Sequence, residues 1–196
     1  MFDLPCILFA GGKSSRMGQD KSLLPFGGYS SLTQFQYVRL SKLFTHVSIS
    51  TKEADKFDFT ANFILDPKDA DFAPTAGFVA AFEAIQTERI FVLSVDTPFV
   101  EKEIIKRLID ADTPHYDAVI SKTSSGTHPM AGIYHRSLLS ELKRMLSEED
   151  HRLGKLLSSA KTHYVEFSDE DPFLNLNLPN EYEEAVSRYN NKNNLK

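Results

Sequence analysis

The chain of 196 residues has a single cysteine, Cys6, so no intrachain disulfide and no thiolate metal cluster can form. Its fold must rest on packing alone, as expected of a protein in a reducing cytosol. Basic residues are not in excess: 22 Lys and Arg stand against 27 Asp and Glu, a formal charge of -5. That balance argues against a nucleic-acid-coating role and favours a small-molecule partner. No apolar run approaches the ~20 residues of a membrane span. Met1 to Ala10 carries Asp3, lacks a basic start and is too short for a signal peptide. The expected location is therefore cytoplasmic, with no membrane and no nucleic-acid partner. Internal repeats and linkers are also missing. What remains is ordinary globular composition, 41% hydrophobic with 15 Phe, enough for one sizeable core. We expect a single domain over 1–189 and a frayed polar tail over 190–196, NNKNNLK.

Short apolar runs alternate with helical patterns. Leu4 to Ala10 predicts a buried strand stopped at Gly11-Gly12, and Leu32 to Phe44 a helix capped by Ser30 or Ser31. Strands are predicted at His46 to Thr51, Asn62 to Asp66 and Arg89 to Val95, with a helix over Ala76 to Gln86. Glu101 to Ala111 is an amphipathic helix, followed by a strand over Asp117 to Ser121. The remainder is mixed, with strands at Met130 to His135 and His163 to Phe167 and helices at Ser137 to Leu146, Arg152 to Ser158 and Glu181 to Tyr189. The pattern predicts an α/β fold with helices on both faces of a sheet. In such folds ligands bind beyond the carboxyl ends of the strands, which directs attention to the loops after Ala10, Ser50, Asp66 and Val95.

The first of these loops, Ala10 to Lys21, reads AGGKSSRMGQDK. Adjacent glycines turn tightly and bring amide N–H groups against a phosphate without interference from a Cβ. Lys13, Arg16 and Lys21 outweigh Asp20, leaving +2 over Gly11 to Ser22. Two common phosphate motifs are not matched: Lys21-Ser22 follows Asp20 where a Walker A loop needs glycine, and Gly11, Gly12 and Gly18 are misspaced for a dinucleotide fold. The loop resembles instead the signature of nucleotidyltransferases that activate sugars and cofactors with a nucleoside triphosphate. Within it Lys21 is the natural triphosphate ligand and Arg16 a second clamp, or a partner for Asp20.

A second candidate is Asp96, at the end of the apolar run Ile90 to Val95 and before Thr97-Pro98. A carboxylate there suits Mg²⁺, which takes carboxylate, phosphate and water oxygens. It also suits a cap for the helix at Glu101 to Ala111 or a turn before Pro98.

Together the landmarks FAGGKSSRMGQDK, Asp66, Pro74-Thr75-Ala76-Gly77, Asp96-Thr97-Pro98, His128-Pro129 and Asn175-Leu176-Asn177-Leu178-Pro179 resemble the molybdenum cofactor guanylyltransferase family, from about Ile7 to Tyr189. The resemblance implies a Rossmann-like three-layer nucleotidyltransferase fold with a mostly parallel, mixed sheet. It implies that Phe9, Ala10, Gly11 and Gly12 supply backbone to GTP, that Lys21 binds its phosphates, and that Asp66 and Gly77 serve the guanosine end. Asp96 is implied as the Mg²⁺ ligand, and Asn175 and Asn177 as facing the pterin or the metal. Ser50 stands at a GTP-contact position where the family often has Asn, and Ala73 where glycine is common. Local readings stand beside these: Asp66 as an Asx turn before Pro67, Pro74 to Gly77 as a helix entry, His128 as a solvated loop residue, the two asparagines as turn formers, and Cys6 as core.

The implied reaction joins GMP from GTP to molybdopterin, with direct attack of the pterin's terminal phosphate on the α-phosphorus and release of pyrophosphate. The attacking group is already anionic, so no general base is required, which agrees with the lack of a Ser/His/Asp or Cys/His set. A monomer is expected, in transient contact with proteins that supply molybdopterin or receive the product. Rivals are a cytidylyltransferase on the same pterin, a sugar-phosphate nucleotidyltransferase, and a non-catalytic molybdopterin carrier. Seven acids and no base fall in Val165 to Glu184, read as a solvated face or as a screen against unwanted anions.

Overall fold

The computed structural model describes residues 1–12, 18–67 and 73–194. Among these, seven strands form one sheet in the order β3-β2-β1-β4-β6-β5-β7. They are β1 (Cys6–Phe9), β2 (Val47–Thr51), β3 (Asn62–Leu65), β4 (Arg89–Ser94), β5 (Ala118–Thr123), β6 (Gly126–His135) and β7 (Thr162–Glu166). Only β6 runs antiparallel to its neighbours, β4 and β5. The carboxyl ends of the other six therefore lie along one edge, the arrangement expected of a mostly parallel, mixed sheet.

Alternation along β1 divides the core. Cys6 and Leu8 face α1 (Leu32–Ser41), α3 (Lys102–Ala111) and α6 (Pro179–Asn194), whereas Ile7 and Phe9 face α2 (Pro74–Ala84), α4 (Leu139–Ser147) and α5 (Leu153–Ser159). Two apolar layers on a central sheet give the three-layer architecture. Cys6 is fully buried, and burial pushes its thiol pKa far up, so it is core. No helix among the described residues is long and apolar enough to cross a membrane.

Three elements differ from expectation. α2 begins at Pro74 rather than Ala76, because proline is preorganised for the first helical turn. β6 begins at Gly126, so His128 and Pro129 lie on a strand and not in a loop. The sequence hides this because Pro129 lacks a ladder donor; the sheet absorbs it where the β5 register shifts between Ile120 and Ser121. Finally, α6 continues to Asn194, into the segment read as a frayed tail.

Candidate functional site

The site is built where β2, β1 and β4 end together. Phe9 stands in register with Ser50 on one side and Ser94 on the other, and the Ala10 amide donates to the Ser50 carbonyl at 2.9 Å. The chain then leaves the sheet through Gly11 and Gly12, the latter at φ +150°, which a side chain rarely adopts. Arg16 lies outside the described residues, so its role stays an expectation.

The loop returns in a short 3₁₀ turn, Lys21–Leu23. Its cap, Asp20, accepts from the Ser22 amide at 3.0 Å and hydroxyl at 2.7 Å, and from Lys56 Nζ at 2.7 Å. Burial pushes the Asp20 pKa up, but the bonds from Lys56 and Ser22 and the Lys56 charge outweigh it and hold the carboxyl below its usual range. Asp20 thus has a cation partner in Lys56. Pinned in this way, the turn sends Lys21 to Asp96 Oδ2, with which it forms an ion pair, and to Asn177 Oδ1 at 3.0 Å.

Asp96 is 8% exposed. It does not cap α3, whose N-cap is Glu101. Its carbonyl accepts from the Leu176 amide at 3.0 Å, which docks the segment carrying Asn177 against it. Its Oδ1 is the buried side-chain oxygen without a hydrogen-bond partner among the described residues. An orphaned carboxylate oxygen is costly unless something else satisfies it. A hard divalent cation bound by one carboxylate plus phosphate and water oxygens meets that need. No group of three His, Cys, Asp or Glu gathers among the described residues, so the donor set suits an ion shared with a phosphate ligand rather than an all-protein cage.

A cavity of about 200 Å³ has Phe9, Gly11, Gly12, Ser94, Asp66 and Lys52 in its lining, Ser94 standing two positions before Asp96. Asp66 follows β3 and accepts from Ser50 Oγ at 2.8 Å, so its carboxylate is held across strands; the residues that would close an Asx turn after it lie outside the described residues. Burial pushes its pKa up, partly offset by the Ser50 bond and the Lys52 charge. Ser50 itself is fully buried and stands behind Asp66. Ala10 is likewise buried. Gly77 lets α2 approach: a Cβ there would lie 2.6 Å from the Phe9 ring and 2.7 Å from Ser50 Oγ.

Two expected residues stand apart. Asn175 is exposed, in a separate groove with Phe99, Leu174 and Arg188, so the asparagine pair is split and only Asn177 reaches Lys21. His128 bonds Thr123 Oγ1 at 2.9 Å and stacks on Phe173 at 4.6 Å, and burial lowers its pKa. Lys52 and Lys56 were not singled out from the sequence. Lys52 had a signal in its position, immediately after a strand whose carboxyl end already marked the loop; Lys56, four residues further on, had none.

Residues 6–164 match the family model described as the MobA-like NTP transferase domain. A molybdenum cofactor guanylyltransferase of Campylobacter jejuni is 40% identical over 95% of this chain and 97% of its own. One from Helicobacter pylori is 38% identical over 94% of this chain and 92% of its own. The structure of molybdopterin-guanine dinucleotide biosynthesis protein A from Archaeoglobus fulgidus shares the fold, with a TM-score of 0.78 at 20% identity, covering 94% of this chain and 98% of that one.

Proposed function

Because the chain belongs to the MobA-like NTP transferase family, as a molybdenum cofactor guanylyltransferase, we propose that its site transfers GMP from Mg²⁺-GTP to molybdopterin through the residues described above. The enzyme is a nucleotidyltransferase of molybdenum cofactor biosynthesis. The observation that carries the residue assignment is the Lys21–Asp96–Asn177 cluster with one buried carboxylate oxygen unsatisfied, together with a cavity lined by Gly11, Gly12, Asp66 and Ser94.

In this reading the guanosine lies toward Asp66 and Gly77, the amides of Gly11 and Gly12 approach the phosphates, and Lys21 and Arg16 supply cationic contacts to them. Asp66 accepts hydrogen bonds from the nucleoside, and Ser50 holds it in place from behind. Asp96, backed by Leu176 and paired with Lys21, directs Oδ1 to the metal. Mg²⁺, when bound, supplies charge neutralisation at the α-phosphate and the leaving pyrophosphate. A phosphate oxygen of molybdopterin forms the new bond to the α-phosphorus, the bond to the β-phosphate oxygen breaks, and pyrophosphate departs. No side chain need take a proton from the nucleophile, so the protein's part is alignment and charge. A monomeric enzyme in the cytosol is the setting we propose; the single cysteine, which allows no intrachain disulfide, fits a reducing compartment.

Thermal shift with Mg²⁺ and each of GTP, ATP, CTP and UTP tests the base. At a hundredfold excess over Kd, GTP is expected to add about 2.7 kcal/mol, a rise of about 5–10 °C in a chain of this size. Stabilisation by CTP alone would move the protein to the cytidylyl branch, and no response to any triphosphate would favour a carrier.

A further inference from the structure

Helix α1 presents Leu32, Gln36 and Leu40 at i, i+4 spacing on one face, and all three are fully buried. Two belong to the apolar core; the third carries an amide. A buried amide is costly unless its donors and acceptor are all used. Gln36 uses both ends. Its Nε2 donates to the Val95 carbonyl at 3.2 Å and to the Thr97 carbonyl at 3.1 Å, the two carbonyls that flank Asp96. Its Oε1 accepts from Arg39 Nε at 3.1 Å and from Arg39 Nη2, so the guanidinium fork fixes which way the amide faces. The same Arg39 donates through Nη1 to the Val100 carbonyl.

The rest of that loop is fixed as tightly. The Ser94 carbonyl accepts from Thr97 Oγ1 at 2.9 Å, and the Asp96 carbonyl from the Leu176 amide at 3.0 Å. Four successive carbonyls, 94 to 97, are therefore held by hydrogen bonds, two of them by one side chain. With the backbone on both sides of Asp96 anchored to a helix, the carboxylate keeps little freedom beyond its own side-chain torsions. Lys21 then holds Oδ2 and leaves the buried Oδ1 without a hydrogen-bond partner among the described residues.

We propose that Gln36, oriented by Arg39, is a positioning residue that aims Asp96 at the catalytic metal from behind the sheet. This rests on the reading of Asp96 as the metal ligand. Outer partners of metal ligands typically change metal affinity or activity by about 10–100-fold when removed, whereas a purely structural role would lower the melting temperature alone.

Gln36→Met keeps the length and apolar packing of the side chain and removes the amide. The test measures half-saturating Mn²⁺ and line shape by electron paramagnetic resonance on the protein–GTP complex, with kcat and KM for GTP alongside. The expected result is Mn²⁺ binding weakened about tenfold or more, kcat down about 10–100-fold, and KM for GTP nearly unchanged. Wild-type Mn²⁺ binding and kcat in folded Gln36→Met would overturn the proposal. If that variant does not fold, Arg39→Lys keeps the charge but loses the fork; the same shift at smaller size is expected, and wild-type values again overturn it. Asp96→Asn in parallel separates the two ideas. Loss of Mn²⁺ binding there with no change in Gln36→Met defeats the positioning role alone. Wild-type Mn²⁺ binding in Asp96→Asn defeats the metal-ligand reading, and the positioning role falls with it.

Discussion

Lys21 and Asp96 are 75 positions apart and meet as an ion pair, and each is nearly withdrawn from water. Their closeness makes a sharp prediction: Asp96→Ala and Lys21→Ala each lower GMP transfer by about 10²–10³-fold or more, the cost of removing a group aimed at developing charge. Circular dichroism should show an intact fold in both, and pyrophosphate release should track the loss. Asp66 makes a different kind of claim. Its carboxyl pKa is raised by burial, so the ionised group opposes folding at neutral pH, and stability improves as pH falls through the raised value. Asp66→Asn retains an acceptor for Ser50 and is expected to melt higher than the wild type at pH 7, with the gap closing in acid, while GTP affinity falls. A melting temperature unchanged or lowered at pH 7 would contradict this.

The elements explain why those residues meet. Helix α2 lies against β1 and β2 at Gly77, where a methyl group would come within 2.7 Å of both Phe9 and Ser50. Gly77→Ala therefore overpacks the joint; a loss of about 1–3 kcal/mol is expected, read by urea unfolding, together with weaker GTP binding as Phe9 and Asp66 shift. The turn carrying Lys21 depends on Lys56 holding Asp20. Asp20's depressed pKa means that its contribution is present above the ordinary carboxylate value near 3.8 and lost as pH falls through the lower folded value. Lys56→Ala should cost under ~1 kcal/mol of stability, as a partly exposed pair does, yet raise KM for GTP several-fold. At this scale much was legible in the sequence. The glycine loop, the strand ending in Asp96 and the α2 entry all carry local signals, in turn chemistry and apolar runs. Lys56, Gln36 and the split of Asn175 from Asn177 carry none, because a lysine in a loop, a glutamine in a helix and two asparagines in a turn acquire meaning only through partners 36 to 156 residues away.

Across the whole molecule, six strands ending on one edge bring the loops after β1, β2, β3 and β4 into one row, and the proposed site draws on that row, from Asp66 after β3 to Asp96 after β4. Charge follows the same layout. Lys21, Lys52 and Lys56 gather at that edge beside Asp96, Asp66 and Asp20, so among the described residues three cations stand against three carboxylates, with Lys21 and Lys56 already in ion pairs. The acids of 165–184 are largely engaged in structure: Glu166 pairs with Lys122, Asp171 with Arg188, and Glu181 accepts from the amides of Asn177 and Leu178. The segment read as a solvated face or an anion screen thus also helps hold Asn177 at the site. The central claim is tested by supplying GTP labelled at the α-phosphate with molybdopterin and Mg²⁺, and following the label and pyrophosphate together. The account predicts label in the pterin dinucleotide, one pyrophosphate per transfer, and loss of both in Asp96→Ala. Release of GDP and orthophosphate instead, or undiminished transfer by Asp96→Ala, would contradict it.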